Sequence, residues 1–162
     1  IAGGGHEKYV SRLKKIIQKL GIEKEITITG KITDEELYSY YRIANLYLSM
    51  SEHEGFGVPL VEAMIFNIPV VAYSCTAIPE TIGITDCLFD NKNFNQISDI
   101  IEKLRSDEIF RQSIIKKQEQ SLTRYSAESV KKAFEDAFFV ASSSFRVPSR
   151  TSARLLDFVM SS

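Results

Sequence analysis

Nine consecutive residues, Glu54–Glu62, combine residue types that could bind a sugar attached to a phosphate. The segment reads Glu-Gly-Phe-Gly-Val-Pro-Leu-Val-Glu. Gly55 and Gly57 have no Cβ, so the backbone can take positive φ angles and a ligand can approach its amide groups closely. Pro59 suits the first turn of a helix. The amide groups at such a helix start, together with the helix dipole, attract an anion such as a diphosphate.

Two carboxylates flank this glycine turn. Glu62 lies one turn inside the predicted helix, where its two oxygens could accept hydrogen bonds from the neighbouring hydroxyls of a ribose. Glu54 precedes the turn and could accept from sugar hydroxyls or face positive charge at an anomeric carbon. Two carboxylates would repel a phosphate alone, but a nucleotide sugar carries hydroxyls on both sides of its diphosphate. We therefore predict a nucleotide-sugar site. A tight turn with two solvated charges is the alternative.

The elements around this motif alternate between strands and helices. The predicted strands are Glu25–Thr29, Leu46–Ser49, Pro69–Tyr73 and Cys87–Phe89. The predicted helices are residues 8–20, 34–44, 58–66, 79–82, 95–104, 107–122 and 127–140. Apolar strands that alternate with helices indicate an α/β domain, a parallel sheet with helices on both faces. Ligands of such sheets bind beyond the carboxyl ends of the strands, which is where the motif falls.

Composition argues against several classes of protein. The chain has 162 residues, with 20 Lys and Arg against 21 Asp and Glu. Such a balance gives no strong field that would attract nucleic acid. No apolar run approaches the roughly 20 residues that span a bilayer. Cys75 and Cys87 form no metal-binding or disulfide pattern and fit a reducing cytosol. We therefore expect a cytosolic protein with no metal, no cofactor and no nucleic-acid partner.

The segment Ser51–Met64 closely resembles the E-x7-E signature of the GT-B glycosyltransferases of family 4, the retaining "group 1" transferases. Flanking segments resemble the same family in the same order, and the resemblance runs from about residue 1 to residue 140. These segments are Ile28–Ile32, Tyr41–Ser49, Pro69–Ala72 and Ile78–Glu80.

The resemblance implies a Rossmann-like donor-binding domain over residues 1–141, the C-terminal domain of a GT-B fold. Glu62 would hold the ribose, and Glu54, as the catalytic residue, would contact the donor sugar near its reacting carbon. Gly30 and Lys31 would lie near the base. The amide groups that would bind the diphosphate or the sugar are those of Gly55, Phe56, Gly57 and Val58.

The function implied is the donor-binding half of a retaining glycosyltransferase. Such an enzyme moves a sugar from a UDP- or GDP-type donor to a hydroxyl acceptor in glycan, polysaccharide or glycolipid synthesis. The departing phosphate would take the acceptor's proton, so no general base is expected in this half. Two alternatives stay open: a GT-B relative such as an epimerase or phosphorylase, or a non-catalytic domain that binds nucleotide sugars.

The first residues, Ile1-Ala2 followed by three glycines, indicate a fragment. We expect it to lack the first strand of the domain and an N-terminal acceptor-binding domain, and to be inactive alone. That absent half would bind a glycan or lipid-linked acceptor and would supply any peripheral association with the inner face of the membrane. Residues 142–162 are predicted to be a linker or tail, either disordered or with a docking helix at Ser152–Met160.

Overall fold

Helices and strands alternate along the chain. The computed structural model describes residues 7–133 and residue 136. The helices are α1 (Glu7–Leu20), α2 (Asp34–Ile43), α3 (Val58–Ile65), α4 (Ile78–Ile82), α5 (Phe94–Ser106) and α6 (Glu108–Leu122). The strands are β1 (Tyr47–Ser49), β2 (Val70–Tyr73) and β3 (Leu88–Phe89). A 3₁₀ turn at Thr123–Tyr125 follows α6, and residues 127–133 and 136 are helical.

The strands form a parallel sheet in the order β1-β2-β3. Tyr47 lies opposite Val70 and Ser49 opposite Ala72, while Tyr73 lies opposite Phe89. Because all three strands run the same way, the loops that follow them leave from one edge of the sheet. The predicted parallel sheet is confirmed.

Strand β2 is apolar throughout because both faces of the sheet are covered. Val70 and Ala72 belong to a buried cluster with side chains of α2, α3 and α4. Val71, which points to the opposite face, belongs to a second cluster with side chains of α5 and α6. This division follows from the alternation of side chains along a strand. The predicted helices on both faces are therefore confirmed.

Several local signals in the sequence act as predicted. The Thr33 hydroxyl accepts a hydrogen bond from the Glu36 amide at 3.3 Å, and the Glu36 carboxylate accepts one from the Thr33 amide at 2.8 Å. This capping box begins α2. Gly21 and Asn67, the predicted left-handed residues after two helices, have φ angles of 67° and 57°.

The predicted strand at Glu25–Thr29 is wrong. Residues 25–29 form no strand in the described structure, and Gly30 forms a single bridge. A strand is defined by a hydrogen-bonded ladder with a neighbour, and the sheet that the structure describes contains only β1–β3. The β-branched residues favour an extended backbone here, but composition alone does not supply the ladder.

Helix α1 is present, but its apolar face is only partly covered. Ile17 is 6% exposed, whereas Tyr9 and Leu20 are 64% and 62% exposed. Within the described residues this helix therefore contributes little to the buried core.

The predicted tail at residues 142–162 and most of the last helix beyond residue 133 lie outside the described residues. A search of the described part of the chain finds no helix with the length and apolar character needed to cross a membrane.

A buried amide side chain joins α6 to the sheet. Gln118 is fully buried. Its Oε1 accepts from the Val70 amide at 2.9 Å, and its Nε2 donates to the Ile68 carbonyl at 2.9 Å. One side chain thus satisfies two backbone groups at the start of β2.

We predict that Gln118→Leu lowers the free energy of unfolding by about 2–5 kcal/mol, because two buried backbone groups lose their partner. Urea unfolding monitored by circular dichroism measures the change. The matched control is Gln120→Leu on the exposed side of the same helix, which we expect to change stability by less than about 0.5 kcal/mol. Equal effects of the two variants would contradict the role of Gln118.

Candidate functional site

The motif Glu54–Glu62 lies at the carboxyl edge of the sheet, as predicted. The loop that contains it follows β1, and α3 begins at Val58. Glu54 and Glu62 are both half-buried. Phe56 is 45% exposed and Val58 55% exposed, so the turn between the carboxylates is open to solvent.

Gly57 is the residue on which the shape of this turn depends. Its φ angle is 82°, a left-handed conformation that disfavours any residue with a Cβ. A Cβ there would lie 2.9 Å from Leu60 Cδ1 and 3.2 Å from Ile78 Cδ1. Gly55 differs, since it has no positive φ and a Cβ would meet nothing within 4 Å. Of the two glycines in the motif, Gly57 is therefore the one that the backbone conformation requires.

The start of α3 has no side-chain cap. Gly57 is the N-cap residue, and no side chain accepts a hydrogen bond from the first turn. Pro59 lies in that turn and has no amide hydrogen to satisfy. The Leu60 amide donates to the Gly57 carbonyl at 2.9 Å. The first turn of α3 therefore presents the Val58 amide and the positive end of the helix dipole beside the open turn, an arrangement that favours an anion.

Glu62 is held by a phenol. The Tyr41 hydroxyl donates to Glu62 Oε2 at 3.0 Å and lies 3.3 Å from the Pro59 carbonyl. Burial and the negative charge of Glu62 raise the pKa of Tyr41 well above its ordinary value. Tyr41 therefore stays protonated and fixes one carboxylate oxygen, while the remaining acceptor positions of Glu62 can serve a ligand.

A second phenol lies beside Tyr41. The rings of Tyr41 and Tyr47 lie 6.3 Å apart between centroids. Burial raises the pKa of Tyr47, and the negative charges of Glu54 and Glu62 raise it further. Both phenols therefore stay protonated, and the hydrogen bond of Tyr41 joins the pair to the Glu62 carboxylate.

The loop after β2 contacts the motif from the neighbouring strand. The thiol of Cys75 donates to the Ser51 carbonyl at 3.1 Å. Thr76 and Thr81 form hydrogen bonds with the backbone of Glu54 and Phe56. This contact follows from the parallel pairing of β1 with β2.

Sequence reasoning assigned no role at the site to four of these residues: Tyr41, Tyr47, Thr76 and Thr81. The available signal was topological, because loops that follow adjacent parallel strands meet at one edge of the sheet. In the sequence the two tyrosines have the pattern of ordinary core residues, and only the structure shows the hydrogen bond from Tyr41 to Glu62.

Gly30 and Lys31, which were expected near the base, form none of the motif's hydrogen bonds in the described part of the chain. Gly30 has a φ angle of 68°, and Lys31 is exposed. Their expected position near a base stays a prediction.

No group of three or more His, Cys, Asp or Glu side chains in the described ranges could hold a metal ion.

A surface cavity of about 390 Å³ lies away from the motif. Its lining includes Asn45 and Leu46, which precede β1. This cavity therefore lies toward the amino ends of the strands and does not include the motif.

The parallel sheet with helices on both faces is a Rossmann-like α/β domain, and the glycine turn lies at the carboxyl edge of that sheet. Residues 1–121 match the family described as "Glycosyl transferases group 1". The chain belongs to this family.

Curated relatives match part of the chain. It is 31% identical over 106 residues to the serotype-specific mannosyltransferase WbdA of Escherichia coli, covering 65% of this chain and 13% of that protein. It is 26% identical over 116 residues to a Mycobacterium tuberculosis GDP-mannose-dependent alpha-(1-6)-phosphatidylinositol monomannoside mannosyltransferase, covering 66% of this chain and 30% of that protein. The chain thus spans less than a third of the length of either relative.

Solved structures show the same fold. The C-terminal domain of a glycosyl transferase group 1 family protein (LpcC) from Francisella tularensis has a TM-score of 0.65 and 30% identity, covering 75% of this chain and 64% of that one. Sucrose-phosphate synthase from Thermosynechococcus elongatus has a TM-score of 0.70 at 20% identity, covering 88% of this chain and 38% of that one. The second match is one of fold alone.

We predict that Gly57→Ala lowers the free energy of unfolding by about 1–3 kcal/mol, because the new Cβ is strained at positive φ and contacts Leu60 too closely. Chemical denaturation measures the loss. Gly55→Ala is the matched control, two residues away in open space, and we expect a change of less than about 0.5 kcal/mol. A Gly57→Ala protein as stable as Gly55→Ala would contradict the reported turn.

The raised pKa of Tyr47 makes stability depend on alkaline pH. Its phenol ionises less readily in the folded chain than in the unfolded chain, so the folded state binds more protons above about pH 10. The contribution is complete below that pH and is lost as the pH rises. Burial of Cys87 raises its pKa to about 11 and acts in the same direction.

We therefore expect the free energy of unfolding to fall between about pH 9 and pH 11, and to fall less steeply in Tyr47→Phe. Urea unfolding at a series of pH values gives the two slopes. Identical slopes for the wild type and the variant would contradict the raised pKa of the buried Tyr47 phenol.

Proposed function

We propose that this chain is the donor-binding domain of a retaining glycosyltransferase that uses a nucleotide-diphosphate sugar. The observation that carries the proposal is the pair Glu54 and Glu62 on the two sides of the left-handed Gly57 turn, with Glu62 oriented by the Tyr41 hydroxyl. Hydroxyl-accepting groups on both sides of an anion-favouring helix start match a ligand with hydroxyls on both sides of a diphosphate.

The ribose is assigned to Glu62. Its carboxylate is half-buried and is oriented by the Tyr41 hydroxyl at 3.0 Å. An ionised carboxylate accepts strong hydrogen bonds, and a fixed one loses less conformational entropy on binding. Glu62 therefore supplies both affinity and orientation for the nucleoside.

The diphosphate or the donor sugar is assigned to the amides of Gly55, Phe56, Gly57 and Val58. The uncapped start of α3 supports this assignment, because no capping side chain competes for the Val58 amide. Gly55 supports it as well, since its open surroundings let a ligand approach the backbone. The amides would stabilise the charge that develops on the leaving phosphate.

Glu54 is assigned to the donor sugar near its reacting carbon. A carboxylate there stabilises positive charge at the anomeric centre as the bond to phosphate breaks. In a retaining transfer the departing phosphate takes the proton of the acceptor hydroxyl, so this domain needs no general base. Gly30 and Lys31 are assigned to the surroundings of the base.

The transferase activity belongs to a longer protein in this proposal. An acceptor-binding domain would complete the cleft, with a glycan or a lipid-linked glycan as acceptor. A cytosolic location, with peripheral binding to the inner membrane face through that domain, stays a prediction. The relatives named above are mannosyltransferases, and one is described as GDP-mannose-dependent. GDP-mannose is therefore the first donor to test, ahead of UDP-linked sugars.

Isothermal titration calorimetry of the intact protein with GDP, UDP, GDP-mannose and UDP-glucose tests this proposal. We expect binding of at least one nucleotide sugar. We expect Glu62→Gln to weaken that binding by about 10- to 100-fold, since a charge-assisted hydrogen bond contributes about 1.5–3 kcal/mol. Glu119→Gln on the exposed surface of α6 is the matched control and should bind like the wild type.

The same titrations separate the proposal from its rivals. Binding of no nucleotide sugar by the intact protein would overturn it. Binding without transfer to any glycan acceptor would favour the non-catalytic alternative. Conversion of the bound donor without an acceptor would favour an epimerase.

A further inference from the structure

We propose that Thr76 and Thr81 are positioning residues that hold the backbone of the motif in its binding conformation. This inference rests on the proposed function, because it concerns the same site. We refer to these two side chains as the threonine brace. Both belong to the segment that follows β2, and neither belongs to the motif itself.

Thr76 forms two hydrogen bonds with the backbone of Glu54. Its hydroxyl donates to the Glu54 carbonyl at 2.7 Å and accepts from the Glu54 amide at 3.2 Å. One hydroxyl therefore satisfies both backbone groups of the residue that carries the proposed catalytic carboxylate. The backbone at Glu54 cannot rotate without breaking at least one of these bonds.

The backbone of Thr76 is in an unfavourable conformation. Its φ angle is 42°, and a β-branched residue at positive φ is strained. Glycine or asparagine would relieve the strain but would lose this hydroxyl geometry. Such strain persists where the surrounding structure holds it, and it is concentrated at functional sites. The position is therefore better explained by what the hydroxyl contacts than by the turn alone.

Thr81 holds the motif two residues further on. Its hydroxyl donates to the Phe56 carbonyl at 2.6 Å, and the side chain is 2% exposed. The carbonyl of Thr81 in turn accepts from Arg124 Nη2 and from the Tyr125 hydroxyl, both at 2.8 Å. The Tyr125 ring also packs edge-on against Phe56, with centroids 5.4 Å apart. The 3₁₀ turn after α6 therefore supports the brace from behind.

The side chain between the two threonines completes the contact. Ile78 Cδ1 lies 3.2 Å from the position that a Cβ on Gly57 would occupy. The segment from Thr76 to Thr81 thus contacts the motif at Glu54, Phe56 and Gly57. These contacts fix the position of the Glu54 backbone, from which its carboxylate extends, and the direction of the amide groups in the turn. A small shift at either position would cost binding, because polar recognition depends on distances near 3 Å.

The test uses Thr76→Gly, which removes the hydroxyl and relieves the strain at positive φ. We expect a thermal midpoint close to that of the wild type, because the relieved strain offsets the lost hydrogen bonds and the added backbone entropy of the unfolded chain. At the same time we expect the Glu54 amide to exchange its hydrogen at least about tenfold faster, and donor binding to weaken about tenfold. A merely structural role for Thr76 predicts the opposite pairing, a loss of stability with normal binding.

Thr76→Ser retains the hydroxyl and should restore both slow exchange and donor affinity to near wild-type values. Thr85→Gly, in an exposed turn away from the motif, is the matched control and should leave both unchanged. Thr81→Val keeps the side-chain shape without the hydroxyl, and it should also weaken donor binding. These measurements use hydrogen exchange by NMR together with calorimetry of the intact protein.

The outcomes separate this inference from the proposed function. If the wild type binds no nucleotide sugar, the proposed function fails. If the wild type binds a donor and Thr76→Gly binds it equally well, the brace fails while the proposed function stands. Unchanged exchange at the Glu54 amide in Thr76→Gly also overturns the brace, whatever the protein binds.

Discussion

The parallel pairing of β1 with β2 is the constraint on which the candidate site depends. Register places Ser49 opposite Ala72, so the two strands end within one residue of each other. The loops that follow, one with Glu54 and the other with Thr76, must therefore meet. An antiparallel pairing would send them to opposite ends of the sheet. The two-sided core is consistent with this pairing, because the helices that connect parallel strands cover the faces of the sheet.

The hydrogen-bond partner of the Glu62 carboxylate decides the charge of the site. Glu62 is paired with a phenol, not with a lysine or arginine. A cation would neutralise the carboxylate and occupy its acceptor positions, whereas a phenol occupies one position and adds no charge. The pKa values of Tyr41 and Tyr47 are raised first by burial and then by the negative charge of Glu62. The site thus remains an acceptor for hydroxyl groups, which is the chemistry that a sugar or ribose presents.

Most of the fold follows from local signals in the sequence, whereas much of the site does not. The capping box at Thr33, the left-handed Asn67 and the apolar strand at Val70–Tyr73 each encode their own structure, so their prediction succeeded. The strand at Glu25–Thr29 failed because a strand also needs a neighbour, which composition does not specify. Thr76 could not be assigned a role for a related reason: its partner, Glu54, is 22 residues away. Such contacts depend on which residues of two strands lie opposite each other, and the sequence pattern does not specify that pairing to the residue.

The hydrogen bond between Gln118 and Val70 also limits how early the sheet can be completed while the chain is being synthesised. The two residues are 48 positions apart. At a synthesis rate of about 5–20 residues per second, Val70 is synthesised roughly 2–10 seconds before Gln118. During that interval the backbone groups of Ile68 and Val70 have no partner from α6, and the turn lacks the support of Tyr125. The hydrogen bonds that complete the start of β2 and support the turn therefore form only after α6 and the 3₁₀ turn have been synthesised.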